Sequence, residues 1–419
     1  PNTRTLTVLF GSETGNARAL AKSLAEAAGA RGLAANLADL ADYPTRKLKD
    51  EQDLLIITST HGEGDPPQSA LGFFEFLEGR KAPKLGQVRY AVLALGDSTY
   101  EFYCEAGKRI DRRLAELGAA QIAPRLDCDV DYDKPAADWI KSVIAAMSPE
   151  AGPAASAGAP PPAVSAALRP APIATAPVHD KRHPFAATVI DNIALTGRGS
   201  SKETWHIEFS LEGSGLSFAP GDALGILPRN DPALVDGILE SLSLPADASI
   251  MLEDSATTLG EALAANFDIS AATPRFLDLW SEISGASALA AVKAGDQAQR
   301  AAFLRDHHVI DILRRFPVAG VDPQLFVSGL RPLQPRLYSI ASSQAFASDE
   351  VHLTVTTLRY DLHGEARTGV ASGHLAARVK PDDTVPVYVQ PNPHFRLADD
   401  DAPIVMIGAG TGVAPYRAF

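Results

Sequence analysis

A segment rich in proline and alanine, residues 148–180, divides the 419-residue chain into two unequal parts. Of its 33 residues, 8 are proline and 11 are alanine. Such a composition cannot bury enough apolar surface to offset the entropy lost on ordering, and proline keeps it extended. We predict a flexible linker that, at about 3 Å per residue, reaches on the order of 100 Å. The chain should therefore fold as at least two domains, in line with about 150 residues per domain.

Before the linker, residues 1–147 alternate short apolar runs with helical patterns. The apolar runs lie at 5–10, 54–58 and 90–95, and the helical patterns at 17–30, 71–77 and 108–117. Apolar strands that alternate with helices indicate a parallel sheet covered on both faces. We therefore predict a doubly wound α/β domain, in which ligands bind beyond the carboxyl ends of the strands.

After the linker, residues 181–402 show a different pattern, in which polar and apolar residues alternate as they do in antiparallel strands. Strands are predicted at 187–193, 205–211, 336–340, 351–359 and 385–390, and helical sequence at about 232–325. This pattern predicts an antiparallel β-barrel interrupted by a helical insertion. An apolar run at 403–407 predicts one more strand, which would open a third, Rossmann-like unit at 403–419.

Composition excludes several classes of protein. No apolar run approaches the roughly 18 residues of a membrane-spanning helix, and no secretory signal pattern is found near Pro1. A net charge of -13 argues against a nucleic-acid partner and favours a basic protein surface or a small molecule. Because Cys104 and Cys128 are the only cysteines, we expect no disulfide framework, no metal site and a reducing, cytoplasmic location.

Three hydroxyl- and glycine-rich loops follow the predicted strands of the first domain. The first loop begins a helix, where N–H groups, hydroxyls and the positive helix end suit a phosphate dianion, although a plain N-cap turn uses the same residue types. In the other two loops, glycine lets the backbone approach a planar ring, on which Tyr100 can stack. The predicted contact residues are Ser12, Glu13, Thr14, Gly15, Asn16, Ala17, Ser59, Thr60, His61, Gly62, Leu95, Gly96, Asp97, Ser98, Thr99, Tyr100, Glu101, Phe102, Tyr103 and Cys104.

These loops resemble those of flavodoxin-type FMN domains. The runs Ser-Thr-x-Gly-Glu-Gly-x-Pro-Pro from Ser59 and Gly-Asp-x-x-Tyr-Glu-Phe-x-Cys from Gly96 are similar to the diflavin reductase family, above all to its sulfite reductase flavoprotein subunits. The resemblance implies that the FMN phosphate lies on the first loop and the ring between the other two. Related monooxygenase reductases carry an aromatic residue where this chain has His61, so His61 is either a flavin contact or a solvated loop residue.

Two features near these loops have a structural interpretation beside a functional one. Cys104 is expected to be a packing residue, because no neighbouring cysteine could resolve a redox thiol. The alternation at 127–133 places four carboxylates on one side of an expected strand or edge. They either form a solvated edge that resists aggregation or help to steer a basic electron acceptor.

The run from Arg336 to Ser339 is the most specific motif of the chain. On a barrel strand, Arg336 can pair with a phosphate and Tyr338 can lie flat on a flavin. Ser339, the candidate catalytic residue, can hydrogen-bond the ring edge near N5. A second loop, residues 368–372, precedes a helix predicted at 373–379. It offers N–H groups and a hydroxyl to a pyrophosphate.

Together these segments resemble the FAD half of the ferredoxin-NADP reductase superfamily. The resemblance places residues 354–356 and Tyr360 at the adenine side, and it makes Gly221, between Pro220 and Asp222, a structural turn. The predicted FAD contacts are Arg336, Leu337, Tyr338, Ser339, Thr354, Val355, Thr356, Tyr360, Gly369, Val370, Ala371 and Ser372.

A glycine-rich turn follows the apolar run at 403–407. A lone turn of this kind is weak evidence for a dinucleotide, but after an FAD barrel it resembles the family's nicotinamide entrance, with Gly410, Thr411 and Gly412 near the pyrophosphate of NADPH. The resemblance also implies that the 2′-phosphate site lies beyond Phe419. We therefore expect this chain alone to bind NADPH poorly and residues 403–419 to pack on the barrel.

The resemblance implies a diflavin electron-transfer reductase and flavoprotein oxidoreductase. Electrons would pass from NADPH through FAD and FMN to the sirohaem and iron-sulfur hemoprotein of sulfite reduction, a step of cysteine biosynthesis. One alternative is an NADPH-haemoprotein reductase that serves a monooxygenase or another haem acceptor. The other is an FMN-only electron-transfer module, in which the FAD region is a scaffold.

Overall fold

The computed structural model describes residues 4–62, 64–147, 179–252, 255–398 and 401–419. All but the last two residues of the predicted linker lie outside these ranges. None of the described helices combines the length and the apolarity that crossing a membrane would require.

The first part of the chain forms a parallel sheet with strand order β2-β1-β3-β4, extended past β4 by β5 and β6. The strands are β1 Leu6–Gly11, β2 Ala35–Asp39, β3 Asp53–Ser59, β4 Arg89–Leu95, β5 Ala120–Gln121 and β6 Leu126–Cys128. The central strands β1, β3 and β4 are buried almost throughout, which explains why they read as continuous apolar runs.

Helices cover both faces of this sheet. They are α1 Asn16–Ala30, α2 Leu71–Glu78, α3 Glu105–Glu116 and α4 Asp133–Met147, with short 3₁₀ helices at Thr45–Asp50 and Gln68–Ala70. One hydrophobic core lies under α1 and α4 and contains Leu24 and Ile140. The other lies under α2 and α3 and contains Phe73 and Ile110. The predicted doubly wound domain is thereby confirmed.

The second part begins with three strands and then leaves its sheet for a long insertion. The strands are β7 Phe185–Ala194, β8 Thr204–Ser210 and β9 Ala223–Ile226. The insertion contains α5 Pro232–Leu242, β10 Ser249–Leu252, β11 Ser255–Thr258, α6 Leu259–Ala265, β12 Phe267–Asp268, α7 Pro274–Ser284, α8 Ser287–Ala294, α9 Gln297–Arg305, α10 Val309–Arg315, α11 Pro323–Ser328 and β13 Arg331–Pro332. Its core centres on Trp280, which is fully buried and stacks on Phe276.

The chain then returns to the sheet and completes a barrel. The remaining elements are β14 Arg336–Ser339, β15 Glu350–Thr356, β16 Arg359–Leu362, β17 Glu365–Thr368, α12 Val370–Gly373, a π-helix His374–Arg378, β18 Thr384–Gln390, a 3₁₀ helix Gly410–Val413 and α13 Ala414–Ala418. The antiparallel order is β14-β9-β18-β7-β8-β15. A bridge between Ile340 and Leu353 joins the two outer strands, so the sheet closes on itself. The predicted barrel with its insertion is confirmed.

The Asp222 carboxylate holds the turn at Gly221 and accepts a hydrogen bond from Ala219 N at 2.8 Å. Gly221 has a φ of 98°, and a Cβ on it would lie 1.9 Å from Phe395 O. Only glycine satisfies both conditions, which agrees with a structural role for this turn.

Three predicted boundaries differ from the structure. The strand predicted at 351–359 ends at Thr356, because Leu358 turns toward the loop at Gly369, whose N–H donates to Leu358 O at 2.9 Å. The helix predicted from residue 373 already begins at Val370. The prediction of a strand at 403–407 is wrong: this stretch has no strand assignment, and Val405 and Ile407 are each 83% exposed. A strand needs a hydrogen-bonded neighbour, and no described strand pairs with this one.

Candidate functional site

The first candidate site is the turn between β1 and α1. Helix α1 begins at Asn16, and its N-cap, Gly15, has a φ of 86°, which glycine adopts without strain. The first N–H groups of a helix lack an intrahelical acceptor and carry the positive end of the helix dipole. The Ser12 hydroxyl beside them is buried and has no hydrogen-bond partner. These orphan donors fit a phosphate ester.

The loops after β3 and β4 are fastened to each other. Thr60 N donates to Leu95 O at 2.9 Å, and Thr60 Oγ1 accepts a hydrogen bond from Ala106 N at 3.2 Å. A Cβ on Gly96 would lie 2.8 Å from Cys104 N, so the two ends of the third loop meet only because residue 96 is glycine. The two loops therefore form a fixed cleft at the carboxyl edge of the sheet.

The aromatic side chains of the third loop differ in exposure. Tyr100 and Phe102 are 47% and 45% exposed, and their rings are available for stacking. Tyr103 is half-buried, and burial raises the pKa of its hydroxyl. His61 is exposed and exchanges two backbone hydrogen bonds with Asp65, of 2.7 and 2.9 Å. This turn leaves both predicted roles of His61 open.

Cys104 is fully buried at the start of α3. Its thiol donates to Ala94 O at 3.5 Å and to Cys128 O at 3.6 Å. Burial, followed by the charge of Asp127, raises the pKa of this thiol above its ordinary value. A neutral, enclosed thiol is a packing group, as expected.

The acidic run at 127–133 does not form the predicted strand edge. Strand β6 ends at Cys128 and α4 begins at Asp133, so the backbone turns in between and the carboxylates point to separate partners. These partners are Arg125 for Asp127, Ser98 for Asp129, Arg275 for Asp131 and Arg182 for Asp133. The edge prediction is therefore wrong.

The second candidate site lies on β14, which pairs with β9 along its whole length. Arg336 is exposed, and its Nη1 donates to Gln334 O at 3.4 Å. Tyr338 is half-buried against the barrel core, and burial raises its pKa to about 12. Ser339 is exposed at the end of the strand. A guanidinium, a neutral phenol ring and a hydroxyl thus follow one another on a rigid strand.

The loop at Gly369 and the segment 354–360 are brought together by the fold. Ser372 Oγ accepts a hydrogen bond from Leu358 N at 3.1 Å, and Gly369 is the N-cap of α12. The Tyr360 hydroxyl hydrogen-bonds His308 Nε2 at 2.9 Å. Residues 354–356 lie on β15, where Val355 faces the barrel core and Thr356 contacts Thr204.

A cavity of about 310 Å³ next to this loop contains basic residues that we did not predict. Nε and Nη1 of Arg378, and Nε of Arg367, are buried without a hydrogen-bond partner. Burial lowers the pKa of Arg378, partly offset by Asp231, 3.7 Å away. The other lining residues include Asn230, Ser270, His308, Arg314, Thr368 and Val370. Buried guanidinium nitrogens without hydrogen-bond partners fit a pyrophosphate. The only sequence signal for this site was Arg378, an isolated cation in a largely apolar helical stretch.

Comparisons with known proteins agree with both halves of this geometry. Residues 8–139 match the Flavodoxin family, and residues 177–374 match the FAD binding domain family. The chain is 44% identical to the sulfite reductase [NADPH] flavoprotein alpha-component of Bacillus subtilis over 418 residues, which cover 99% of this chain and 68% of that protein. It is 42% identical to the proteins of the same name from Shewanella sp. strain ANA-3 and Neisseria meningitidis strain MC58, over 100% and 99% of this chain and 69% and 68% of theirs.

The chain belongs to the sulfite reductase flavoprotein alpha-component family. The predicted cofactors FMN and FAD and the predicted class, a diflavin electron-transfer reductase, are thereby confirmed. The individual contact residues remain predictions.

Both candidate sites contribute residues to one cavity of about 570 Å³. From the flavodoxin-like domain, the turn at Gly15 and the loops at Thr60 and Gly96 line it. From the barrel, Arg336 and Leu337 of β14 line it, together with further residues of the barrel and insertion that include Arg331, Tyr388 and Gln390. The two edges predicted to hold flavins therefore face each other across a shared space.

Ion pairs around this cavity join acids of the first domain to bases of the second. The pairs are Asp97 with Arg331 at 2.6 Å, Asp131 with Arg275 at 2.7 Å, Asp133 with Arg182 at 3.3 Å and Glu101 with Arg305 at 3.7 Å. His394 Nε2 also contacts Asp39 Oδ2 at 3.5 Å. Among the described residues, each of these contacts has its carboxylate on the flavodoxin-like side. This face of the first domain is therefore suited to basic partners.

The end of the C-terminal segment, Ala414–Ala418, packs on the barrel as expected, whereas residues 403–410 are exposed, contrary to the expectation for them. Arg417 donates to Ala341 O and contacts His352 Nδ1 at 3.2 Å. Because Nδ1 accepts that N–H, the ring proton of His352 lies on Nε2, which contacts Glu350 at 3.1 Å. His206, Glu208 and His352 place ligand atoms within 4.8 Å of one another, but this hydrogen bonding fastens the segment and occupies His352. The turn at Gly410 to Gly412 stays largely exposed.

Proposed function

We propose that electrons from NADPH enter at the barrel and pass through the flavodoxin-like domain to the hemoprotein of sulfite reduction, although this chain alone is expected to bind NADPH poorly. The observation that carries the proposal is the single cavity lined by both candidate flavin edges. Bound flavins supply the conversion of a two-electron hydride donor into one-electron delivery, and the protein supplies position and electrostatics. The relatives' name supports the NADPH donor and the sulfite reductase assembly.

On the flavodoxin-like side, we assign the phosphate to the turn from Ser12 to Ala17. Orphan N–H groups and the partnerless Ser12 hydroxyl would hold it. The loops at Ser59 to Gly62 and Leu95 to Cys104 would hold the ring between them, with Tyr100 stacked on one face. His61 stays the ambiguous residue on the other face.

On the barrel side, Arg336 would bind a phosphate, Tyr338 would pack flat on the ring, and Ser339 would hydrogen-bond the ring edge where hydride arrives. Gly369 to Ser372 and the unpaired nitrogens of Arg378 would hold the pyrophosphate. The guanidinium nitrogens that lack hydrogen-bond partners in this cavity support a bound pyrophosphate, and with it two flavins rather than an FMN-only module, because a scaffold would not need donors without acceptors.

NADPH would enter at the exposed turn from Gly410 to Gly412, which lies beside strand β15 of the barrel. Arg417 fixes the position of this turn through its contacts with Ala341 and His352. A Cβ on Gly408 would lie 2.6 Å from Gly412 O, so the two ends of the turn approach this closely only because residue 408 is glycine. Its exposed backbone is available to a dinucleotide.

The acceptor would dock on the acidic face of the flavodoxin-like domain, where Asp97, Glu101 and Asp131 lie. Because arginines of the barrel neutralise these acids in the present arrangement, the acceptor and the barrel would bind this face in turn. A haem acceptor of another kind would need the same basic surface. The relatives' name favours the sulfite reductase hemoprotein.

We further propose domains at 1–147 and 181–402, joined by residues 148–180, with 403–419 as the start of an NADPH-binding unit. The match of Flavodoxin to 8–139 and of the FAD binding domain to 177–374 supports this division. A cytoplasmic location is consistent with two reduced, buried cysteines.

Flavin extraction from the purified chain tests the proposal. We expect about one FMN and one FAD per chain, in line with one site per domain. FMN alone would support the electron-transfer module, and a colourless protein would exclude both. Anaerobic reduction of purified sulfite reductase hemoprotein and of a monooxygenase haem domain by the flavin-loaded chain, with a chemical donor, then identifies the acceptor by its rate.

A further inference from the structure

Arg331 occupies an unusual position between the two domains. It lies on β13, at the end of the insertion, and its side chain is 7% exposed. Nε and Nη2 donate to Asp268 Oδ2 at 3.2 and 2.9 Å, and Nη1 donates to Asp97 Oδ1 at 2.6 Å. One guanidinium therefore binds a carboxylate from each side of the cavity.

The barrel-side half of this cluster is fixed independently of docking. Asp268 is buried and accepts hydrogen bonds from Ser270 N at 3.0 Å and Ser270 Oγ at 2.7 Å, in addition to Arg331. Two carboxylate contacts on adjacent nitrogens hold the planar guanidinium in one orientation. Nη1 is consequently directed at Asp97 by contacts that belong to the second domain alone.

The other half belongs to a loop predicted to hold FMN. Asp97 Oδ1 also accepts hydrogen bonds from Thr99 N at 3.0 Å and Thr99 Oγ1 at 2.6 Å. The carboxylate that Arg331 binds thus also takes part in the hydrogen bonds within the loop after β4. A displacement of Arg331 would be passed directly to that loop.

The other ion pairs between the domains are more exposed. Arg275, Arg305 and Arg182 have side chains that are 46%, 58% and 75% exposed. Exposed pairs are screened by water and salt and contribute little. Arg331 is the buried cation at this interface in the part of the chain that the structure describes, and it lines the same cavity as Asp97 and Arg336.

We propose that Arg331 is a positioning residue that sets the approach of the FMN loop at Asp97 to the FAD strand β14. This inference rests on the proposed function and adds a residue that acts on electron transfer between the flavins without holding either of them. Arg331 acts through Asp97, and Asp268 keeps it oriented.

The test uses the double variant Arg331→Gln with Asp268→Asn, which removes both barrel-side charges so that no buried carboxylate is left unpaired. The flavin-loaded chain receives a single electron by flash photoreduction, and the rate of exchange between FAD and FMN is followed spectroscopically. We expect this rate to fall by about tenfold or more, because small misplacements of reacting groups have large kinetic effects. The content of both flavins should stay unchanged.

Arg275→Gln is the matched control, because it removes the exposed pair with Asp131 at the same interface. We expect less than about a twofold change in its exchange rate. Small-angle scattering of the flavin-free chains gives a second readout, in which the double variant should show a larger radius of gyration than the control.

An unchanged exchange rate in the double variant, with both flavins bound, would overturn the inference. Selective loss of FMN would overturn it too, since Arg331 would then be a cofactor-binding residue. Absence of both flavins from the unmodified chain would instead contradict the proposed function, so the two failures are distinguishable.

Discussion

The two candidate flavin sites of this molecule are assembled in different ways. On the flavodoxin-like side, each contributing loop directly follows a strand of the sheet, and its donors are backbone N–H groups and hydroxyls such as that of Ser12. On the barrel side, the candidates come from β14, α12 and the insertion, which lie far apart in the sequence, and the donors include the cations Arg336, Arg367 and Arg378. The first site therefore depends on local backbone geometry. The second depends on charged side chains that are distant in sequence and are brought together by the fold.

The sharpest test of the first half of this contrast is Gly15→Val. A β-branched residue at a φ of 86° is strained, and its Cβ would also lie 2.8 Å from Gln390 Nε2. We expect FMN affinity to fall by about a hundredfold, a loss of roughly 3 kcal/mol, while FAD content is unchanged. Fluorescence titration of the flavin-free chain with FMN measures it.

Gly29→Ala in the same helix is the control for Gly15→Val. A Cβ at Gly29 meets nothing within 4 Å, so the substitution should leave FMN affinity unchanged and stabilise α1 by up to about 1 kcal/mol. Equal loss of FMN from both variants would show that general helix stability, and not the turn, governs binding.

Arg336→Ala tests the second half, the dependence on charge. A charge-assisted hydrogen bond contributes about 1.5–3 kcal/mol, so FAD affinity should fall by roughly 10- to 100-fold with FMN affinity retained. Arg359→Ala is the control, since Arg359 is an exposed cation paired with Glu203 at 3.0 Å. Retention of FAD by the Arg336 variant, measured by extraction after gel filtration, would contradict the assignment.

Arg378→Met tests whether a residue outside the sequence motifs contributes to FAD binding as the motif residues do. Because Nε and Nη1 are buried without hydrogen-bond partners, removing the charge should lower FAD affinity by about tenfold. Loss of the Nη2 hydrogen bonds to Arg229 O and Val370 O should lower the melting temperature of the flavin-free chain only slightly. Calorimetry of both forms checks this. A large drop in the melting temperature of the flavin-free chain would mean that Arg378 is a structural residue.

A smaller effect concerns acid sensitivity of the barrel. Burial first, then the charges of Arg378 and Arg229, lowers the pKa of His374 from 6.5 to about 4. The unfolded chain therefore takes up a proton that the folded chain refuses, and stability is lost as the pH falls from about 6.5 toward 4. This loss should be roughly 1–3 kcal/mol at most.

His374→Asn, which keeps an acceptor for Arg229 N, should flatten this pH dependence in denaturant titrations at pH 7 and pH 5. His183→Asn should not, because His183 is an exposed residue whose side chain contacts Asp180. Identical pH profiles for His374→Asn and the unmodified chain would show that His374 does not titrate in this range.

The sequence allowed good prediction where one element determines its own environment. The buried strands β1, β3 and β4 were recognisable as apolar runs, and the motif from Arg336 to Ser339 lies on a strand as predicted. The turn at Gly15 was also recognisable, because a strand, a glycine and a helix start follow each other directly. In these cases the order of residues along the chain already determines the local structure.

Prediction failed where partners come from elsewhere in the chain. The acidic residues at 127–133 have an alternating pattern, but two of them bind Arg275 and Ser98, which are distant in sequence. The apolar run at 403–407 has the composition of a strand, yet strand formation depends on a neighbour that its own residues do not specify. Arg378 was missed because the burial that leaves its Nε and Nη1 without hydrogen-bond partners exists only in the folded barrel.

The shared cavity has a protective consequence for the cell's reducing power. Reduced flavins react with dioxygen to give superoxide and peroxide, and a ring edge held in this cavity, as proposed, would be less exposed to dissolved oxygen. Every excursion of the flavodoxin-like domain toward an acceptor would remove that shield. Under the proposal for Arg331, the strength of its contacts would set a compromise between rapid delivery of electrons and their loss to oxygen.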